Sequence, residues 1–148
     1  MYDRILLSTD GTVASREAET HALHLAAATD AVLHVLYVVD EEVITAYSGD
    51  EYLDGAEGPE HGLGESGEET LAALRDRAAE AGVDIETTVR QGRPAEMIVS
   101  YADEHDVSLL VLGTKRRTDE YQTLLGSVTD RVLRLTTRPT TVVKTETE

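Results

Sequence analysis

Three separated apolar runs constrain this chain most: Ile5-Leu6-Leu7, Ala31 to Val39 (AVLHVLYVV) and Val107 to Leu112 (VSLLVL). They are continuous rather than alternating, the pattern of strands covered on both faces. Helical patterns fall between and after them. Thr12 to Ala28 places Ala18, Ala22, Leu25 and Ala26 at helical spacing. Ser66 and Glu69 form a capping-box pattern opening a helix through Ala81, and Gly82 closes it. Val83 to Arg90 alternates as a weaker strand. Pro94 sits at a first helical position, and that helix runs to about Glu104 with Ile98, Tyr101 and Ala102 inward. Ser127 to Leu135 is a helix, and Pro139 to Lys144 a last short strand. Strands alternating with helices imply parallel pairing and right-handed crossovers. The fold expected is α/β: a doubly wound five-stranded parallel sheet with helices on both faces, a Rossmann-like or flavodoxin-like three-layer sandwich. Residues 1–148 read as one domain without internal repeats.

Two stretches escape the pattern. Asp40 to Glu65 is acidic, holds Pro59 and five of the eleven glycines, and reads as a long mobile loop with a short helical turn at Val43 to Tyr47. Gly113 to Leu125 reads as a second irregular segment.

Composition excludes several classes of function. There are 29 acidic and 13 basic residues, for a net charge of −16, which argues against nucleic acid or an anionic membrane as partner. Without cysteine, disulfide, thiol-redox and cysteine–zinc chemistry are excluded. No apolar run reaches the ~18 residues of a membrane span. Met1-Tyr2-Asp3-Arg4 lacks a basic n-region, so a cytoplasmic location is expected. Lys115 and Lys144 are the only lysines; with so many acids this suggests a halophilic setting, where molar salt shortens the Debye length to ~3 Å.

In open α/β sheets, ligands bind beyond the carboxyl ends of the strands, where strand order reverses. That rule selects Ser8-Thr9-Asp10, Val38-Val39-Asp40 and the segment from Gly113 onward. The chain has no G-x-x-x-x-G-K-[ST] loop, no G-x-G-x-x-G fingerprint and no G-x-S-x-G elbow. It does have three adjacent basic residues, Lys115-Arg116-Arg117, followed by Gly126-Ser127 at a helix start. A helix N-terminus offers N–H groups and partial positive charge to a phosphate. Each residue also has a plainer reading. Ser127 with Asp130 is an ordinary N-cap pattern, worth ~1 kcal/mol. Asp10 suits an Asx turn into a helix. Gly113 suits a sharp exit from a strand, and the basic triplet a solvated loop. His21 and His24 lie three apart but lack a third metal ligand nearby, so no metal site is assigned. The acids of the long loop do not follow calcium-loop spacing. No nucleophile, catalytic base or paired-carboxylate arrangement stands out, so enzymatic activity is not expected.

The segments ILLSTDG (5–11), LYVVD (36–40), VLGTKRRTDEYQTLLGSVTDRVLR (111–134) and RPTTVV (138–143) together resemble the universal stress protein family, over essentially the whole chain. ATP-binding members of that family carry G-x2-G-x9-G-[ST]. Here Gly113 and Gly126-Ser127 match in place, while Arg116 stands at the second glycine. A glycine there can take positive φ and bring backbone N–H groups against phosphates. Arg116 either blocks that approach or grips a phosphate with its guanidinium, and Asp119 is a nearby acid. The resemblance implies an adenine nucleotide, ATP or AMP, with Mg²⁺ accompanying ATP. Asp10 would then lie at the ribose, with Thr9 beside it in the site, Val38 at the adenine, and Gly113, Gly126, Ser127, Val128 and Thr129 at the phosphates. Lys115 and Arg116 would offset phosphate charge. It also implies a homodimer through Thr140–Val143. Two alternatives stand beside the nucleotide-binding regulator. One is a member that has lost nucleotide binding and works through protein contacts; the other is a slow ATP hydrolase or autophosphorylating protein.

Overall fold

The computed structural model describes residues 2–10, 13–40, 59–117 and 126–147. The expected turn at Val43–Tyr47, most of the acidic loop and Asp119 lie outside them. Five strands and four helices alternate among the described residues: β1 (Arg4–Thr9), α1 (Val13–Thr29), β2 (Val32–Asp40), α2 (Pro59–Ala81), β3 (Ile85–Gly92), α3 (Pro94–Glu104), β4 (Leu109–Arg117), α4 (Ser127–Leu135) and β5 (Thr140–Thr147). All pairings are parallel, and the sheet order is β3-β2-β1-β4-β5. This is the doubly wound sheet expected from the continuous apolar runs.

Alternation along β1 shows why those runs are continuous. Ile5 and Leu7 join one buried cluster, with Ala18, Ala22, Leu23 and Ala26 of α1 and Leu71, Leu74 and Ala78 of α2. Leu6 joins the other, with Ile98, Tyr101 and Ala102 of α3 and Val132 of α4. Successive side chains point to opposite faces, and both faces are covered, so every position must be apolar. The small alanines of α1 let that helix lie close on the sheet. Gly82 ends α2 with φ +71°, a left-handed conformation that favours glycine and fits its expected role as a C-cap.

The structure departs from the sequence reading at element ends. Helix α2 begins at Pro59, not Ser66. Proline is pre-organised for a first helical turn, and Ser66 lies inside the helix, so the Ser66/Glu69 capping box does not open it. Strand β4 does not stop at Leu112: it runs through Gly113 to Arg117, pairing Lys115 with Thr145, Arg116 with Glu146 and Arg117 with Thr147. Strand β5 correspondingly extends through the charged tail to Thr147. These ends are polar and have no apolar pattern to reveal them, yet backbone pairing carries both strands onward together. β3 is likewise displaced to Ile85–Gly92.

Strands β2 and β3 lie on one side of β1, and β4 and β5 on the other, so strand order reverses between β1 and β4. The crevice of a doubly wound sheet opens beyond the carboxyl ends at that point.

Candidate functional site

A cavity of about 370 Å³ occupies that crevice. Its walls come from strand ends and helix starts: Ser8 and Thr9 at the end of β1 and Asp10 just after it, Tyr37 to Asp40 of β2, Leu112 and Gly113 of β4, Pro94 and Ile98 of α3, and Val128 and Thr129 of α4. Six of the ten residues assigned to the nucleotide from sequence therefore meet around one space: Thr9, Asp10, Val38, Gly113, Val128 and Thr129.

The others sit differently. Gly126 is the N-cap of α4, with φ −58° and ψ 153°, and its N–H donates to Thr114 Oγ1 at 2.9 Å. Ser127 is thus the first residue within the helix and makes no side-chain cap, which overturns its reading as the N-cap. It lines a second cavity of about 370 Å³, with Arg93, Glu96 and Arg131, that shares Asp40, Pro94 and Val128 with the first. Lys115 and Arg116 lie further along β4, where the backbone is paired to β5. His21 and His24 are exposed on α1.

The polar groups around the first cavity are anchored locally. Ser15 Oγ donates to Asp10 Oδ1 at 3.0 Å and accepts the Asp10 N–H at 3.4 Å, holding the carboxylate at the start of α1. Thr9 donates through Oγ1 to Glu19 at 2.7 Å. Thr129 Oγ1 donates to the Gly113 carbonyl at 3.4 Å. The Tyr37 hydroxyl is pushed up from its ordinary pKa by burial first and the Asp10 charge second, so it stays a neutral donor. Gly67 of α2 packs on the same ring, and a Cβ there would stand 2.8 Å from it.

At the second cavity, Arg131 reaches across from α4 to α3. Its Nε and a terminal nitrogen both lie 2.6 Å from Glu96 Oε1, and this bond holds the Glu96 carboxyl below its usual range. It fixes two helix starts side by side. Neither N-cap residue, Arg93 before α3 or Gly126 before α4, makes a side-chain cap; Pro94 has no N–H and the Glu96 carboxylate accepts a backbone bond at its own residue, while the partial positive charge of both helix starts lies beside the cavities.

Sequence reasoning missed Ser15, Glu19, Tyr37, Pro94 and Ile98 as parts of this region. Glu19 carried a signal: a carboxylate three residues before Ala22 and one after Ala18, on the inward stripe of α1. The walls from α3 carried none, because sequence order does not reveal which helix covers the crevice.

A profile of the universal stress protein family matches residues 1–144. Universal stress protein MJ0531 of Methanocaldococcus jannaschii is 36% identical over 144 residues, covering 97% of this chain and 83% of that protein. The solved structure of MJ0577, from the same organism, superposes with a TM-score of 0.82 at 26% identity, covering 100% of this chain and 99% of that one. A universal stress protein solved in complex with cAMP superposes with a TM-score of 0.64 at 26% identity, covering 97% of this chain and 98% of that one.

Proposed function

The chain belongs to the universal stress protein family, and from that premise we propose that it binds an adenine nucleotide, ATP or AMP, as a regulatory ligand in the crevice between β1 and β4. The cavity at the strand reversal carries the reading, with Asp10, Val38 and the start of α4 on its wall. In this arrangement Asp10 accepts hydrogen bonds from ribose hydroxyls. The backbone of Val38 meets the adenine, and the N–H groups of Ser127, Val128 and Thr129 meet the phosphates. Thr9 and Gly113 shape the floor, and Gly126 admits the ligand close to the backbone. Lys115 and Arg116 offset phosphate charge, and Mg²⁺ accompanies ATP. The cAMP complex of a relative at similar fold supports an adenine nucleotide as the ligand class. The relevant compartment is the cytoplasm, and no helix among the described residues is long and apolar enough to cross a membrane.

Calorimetry with ATP, ADP and AMP at molar salt tests this directly. A bound nucleotide at 100 times Kd stabilises the fold by ~2.7 kcal/mol. No heat and no stabilisation by millimolar ATP refutes the reading.

A second reading, a family member that has lost nucleotide binding and acts through protein contacts, draws on one observation. The backbone at Arg116 continues β4 in register with Glu146, where the family motif has a glycine free to turn toward phosphates. Arg116→Gly separates the two. If the change creates ATP binding, the arginine is the block; if it weakens existing binding, the arginine is a phosphate ligand. Phosphate release that vanishes in Ser127→Ala would instead favour slow hydrolysis.

The assembly that goes with this reading is a homodimer through Thr140–Val143. Among the described strands β5 pairs with β4 alone, which leaves its outer edge for a partner strand. A monomeric mass at high salt and high protein concentration would refute it.

A further inference from the structure

Glu19 stands on the face of α1 that packs against the sheet, and its side chain is only 13% exposed. Burying a carboxylate among alanines and leucines is unfavourable unless it is well bonded. Here the bonds run in two directions. Thr9, the last residue of β1, donates its hydroxyl to Glu19 Oε2 at 2.7 Å. Arg77 of α2 places a guanidinium nitrogen 3.7 Å from Oε1, and donates to Thr20 Oγ1 at 2.8 Å. One carboxylate thus joins the strand end at the cavity wall to the helix on the far side of α1. Thr9 shares a sheet face with Ile5 and Leu7, which turns its hydroxyl toward α1. Asp10, the next residue, is tied to α1 through Ser15. Helix α2 also touches the cavity wall directly, where Gly67 packs on the Tyr37 ring.

We propose that Glu19 is a positioning residue of the ligand cavity: it anchors Thr9, and so the strand end that leads into Asp10, to α1 and, through Arg77, couples the seating of α2 to ligand binding. This rests on the nucleotide reading above. Glu19 touches no ligand itself; it acts through Thr9 on one side and Arg77 on the other. The charged groups that face it are Asp10 beyond β1, Arg77 from α2 and Arg16 on its own helix. Burial is the main influence on its carboxyl and raises the pKa, Asp10 adding to the rise and Arg77 and Arg16 opposing it.

The test compares ATP affinity and amide exchange along residues 67–81 in the full chain and its variants. In the wild-type chain, ATP is expected to slow exchange in α2 as well as at the cavity. Glu19→Ala removes both bonds and should weaken ATP binding roughly tenfold and abolish the α2 response. Glu19→Gln keeps an acceptor for Thr9, so its affinity should stay within about threefold of wild type. Arg77→Met should spare ATP binding more than Glu19→Ala does, yet lose the slowing in α2. Unchanged ATP affinity in folded Glu19→Ala overturns the proposal, as does an α2 response that persists in Arg77→Met. If Glu19→Ala does not fold, Glu19→Gln and Arg77→Met carry the test alone. Failure of the wild-type chain to bind ATP overturns the nucleotide reading and this proposal together, whereas equal binding by wild type and variants overturns this one only.

Discussion

The two ends of the sheet carry hollows of similar size, about 370 Å³ at the carboxyl ends of the strands and about 390 Å³ at the amino ends, but they are framed by different elements. At the amino ends the groups close on one another. Ser108 Oγ accepts the N–H groups of Asp3 and Arg4, each at 3.1 Å, and donates to the Arg4 carbonyl at 2.8 Å. Arg138 binds Asp103, Asp106 and the Val107 carbonyl, and Arg4 donates to the His105 carbonyl. At the carboxyl ends, two helices begin without side-chain caps beside the cavity. Volume therefore does not mark the site. What distinguishes the carboxyl end is that two helix starts, those of α3 and α4, meet at its cavities and bring their partial positive charge there.

The largest effect should come from breaking the closed end. Tyr101 is 2% exposed, stacks on His105 with centroids 3.9 Å apart and bonds His34 Nδ1 at 2.8 Å. Tyr101→Ala should cost about 3–5 kcal/mol in denaturant unfolding. It should leave ATP affinity unchanged at temperatures where the variant stays folded.

Gly67→Ala acts on the other end. The added Cβ meets the buried Tyr37 ring at 2.8 Å, and the overpacking should cost about 1–3 kcal/mol. Because Tyr37 lines the cavity, this variant should also weaken ATP binding, which calorimetry would register.

Opposite pH signatures separate the ends further. Burial lowers the His34 pKa more than Glu86 raises it, with His105 and Arg4 also lowering it. The Glu86 contact at 3.4 Å is therefore not an ion pair at neutral pH, and the neutral ring keeps its Nδ1 in a hydrogen bond with the Tyr101 hydroxyl. The stability that His34 contributes is present above the ordinary histidine pKa and lost as pH falls through its lowered value. Glu19 has a raised pKa, so its contribution is present below the ordinary carboxyl value and lost as pH rises through the raised one. Unfolding curves from pH 4 to 8, as a roughly spaced series, should show His34→Gln flattening the histidine component and Glu19→Gln the carboxyl component.

The smallest effect sharpens the contrast in capping. Gly126→Asp should stabilise α4 by about 0.5 kcal/mol, since aspartate caps slightly better than glycine and its charge suits a helix start. The same carboxylate would take the place of an anionic ligand, so stability should rise while ATP affinity falls.

Much of this was legible in the sequence because burial on two faces writes itself as unbroken apolar runs. Ile5 to Leu7, Ala31 to Val39 and Val107 to Leu112 read as buried strands, the observed strands β2 and β4 starting at Val32 and Leu109, and their alternation with helices led to the sheet. The crevice followed from topology, and Thr9, Asp10, Val38 and Gly113 from their places at strand ends. The polar strand ends were not legible. Lys115 to Arg117 bear no apolar pattern, and only pairing with residues 145–147 reveals them as strand. The start of α2 was hidden for a related reason, because glycine-rich acidic sequence has low helix propensity and Pro59 alone marked the boundary. Ser127 was misjudged by one residue: the S-x-x-D pattern fits a cap, but the extended residue is Gly126. Glu19 needed the third dimension, since its partners Thr9 and Arg77 lie ten residues before it and 58 after it.

The central claim is that a nucleotide enters at the carboxyl ends and not at the amino ends. Amide hydrogen exchange with and without saturating ATP at molar salt tests it most directly. Slowed exchange is expected at residues 8–10 and 126–131, with no change at residues 3–4, 106–108 and 137–139. Protection at the amino-end residues, or no protection anywhere, would contradict it.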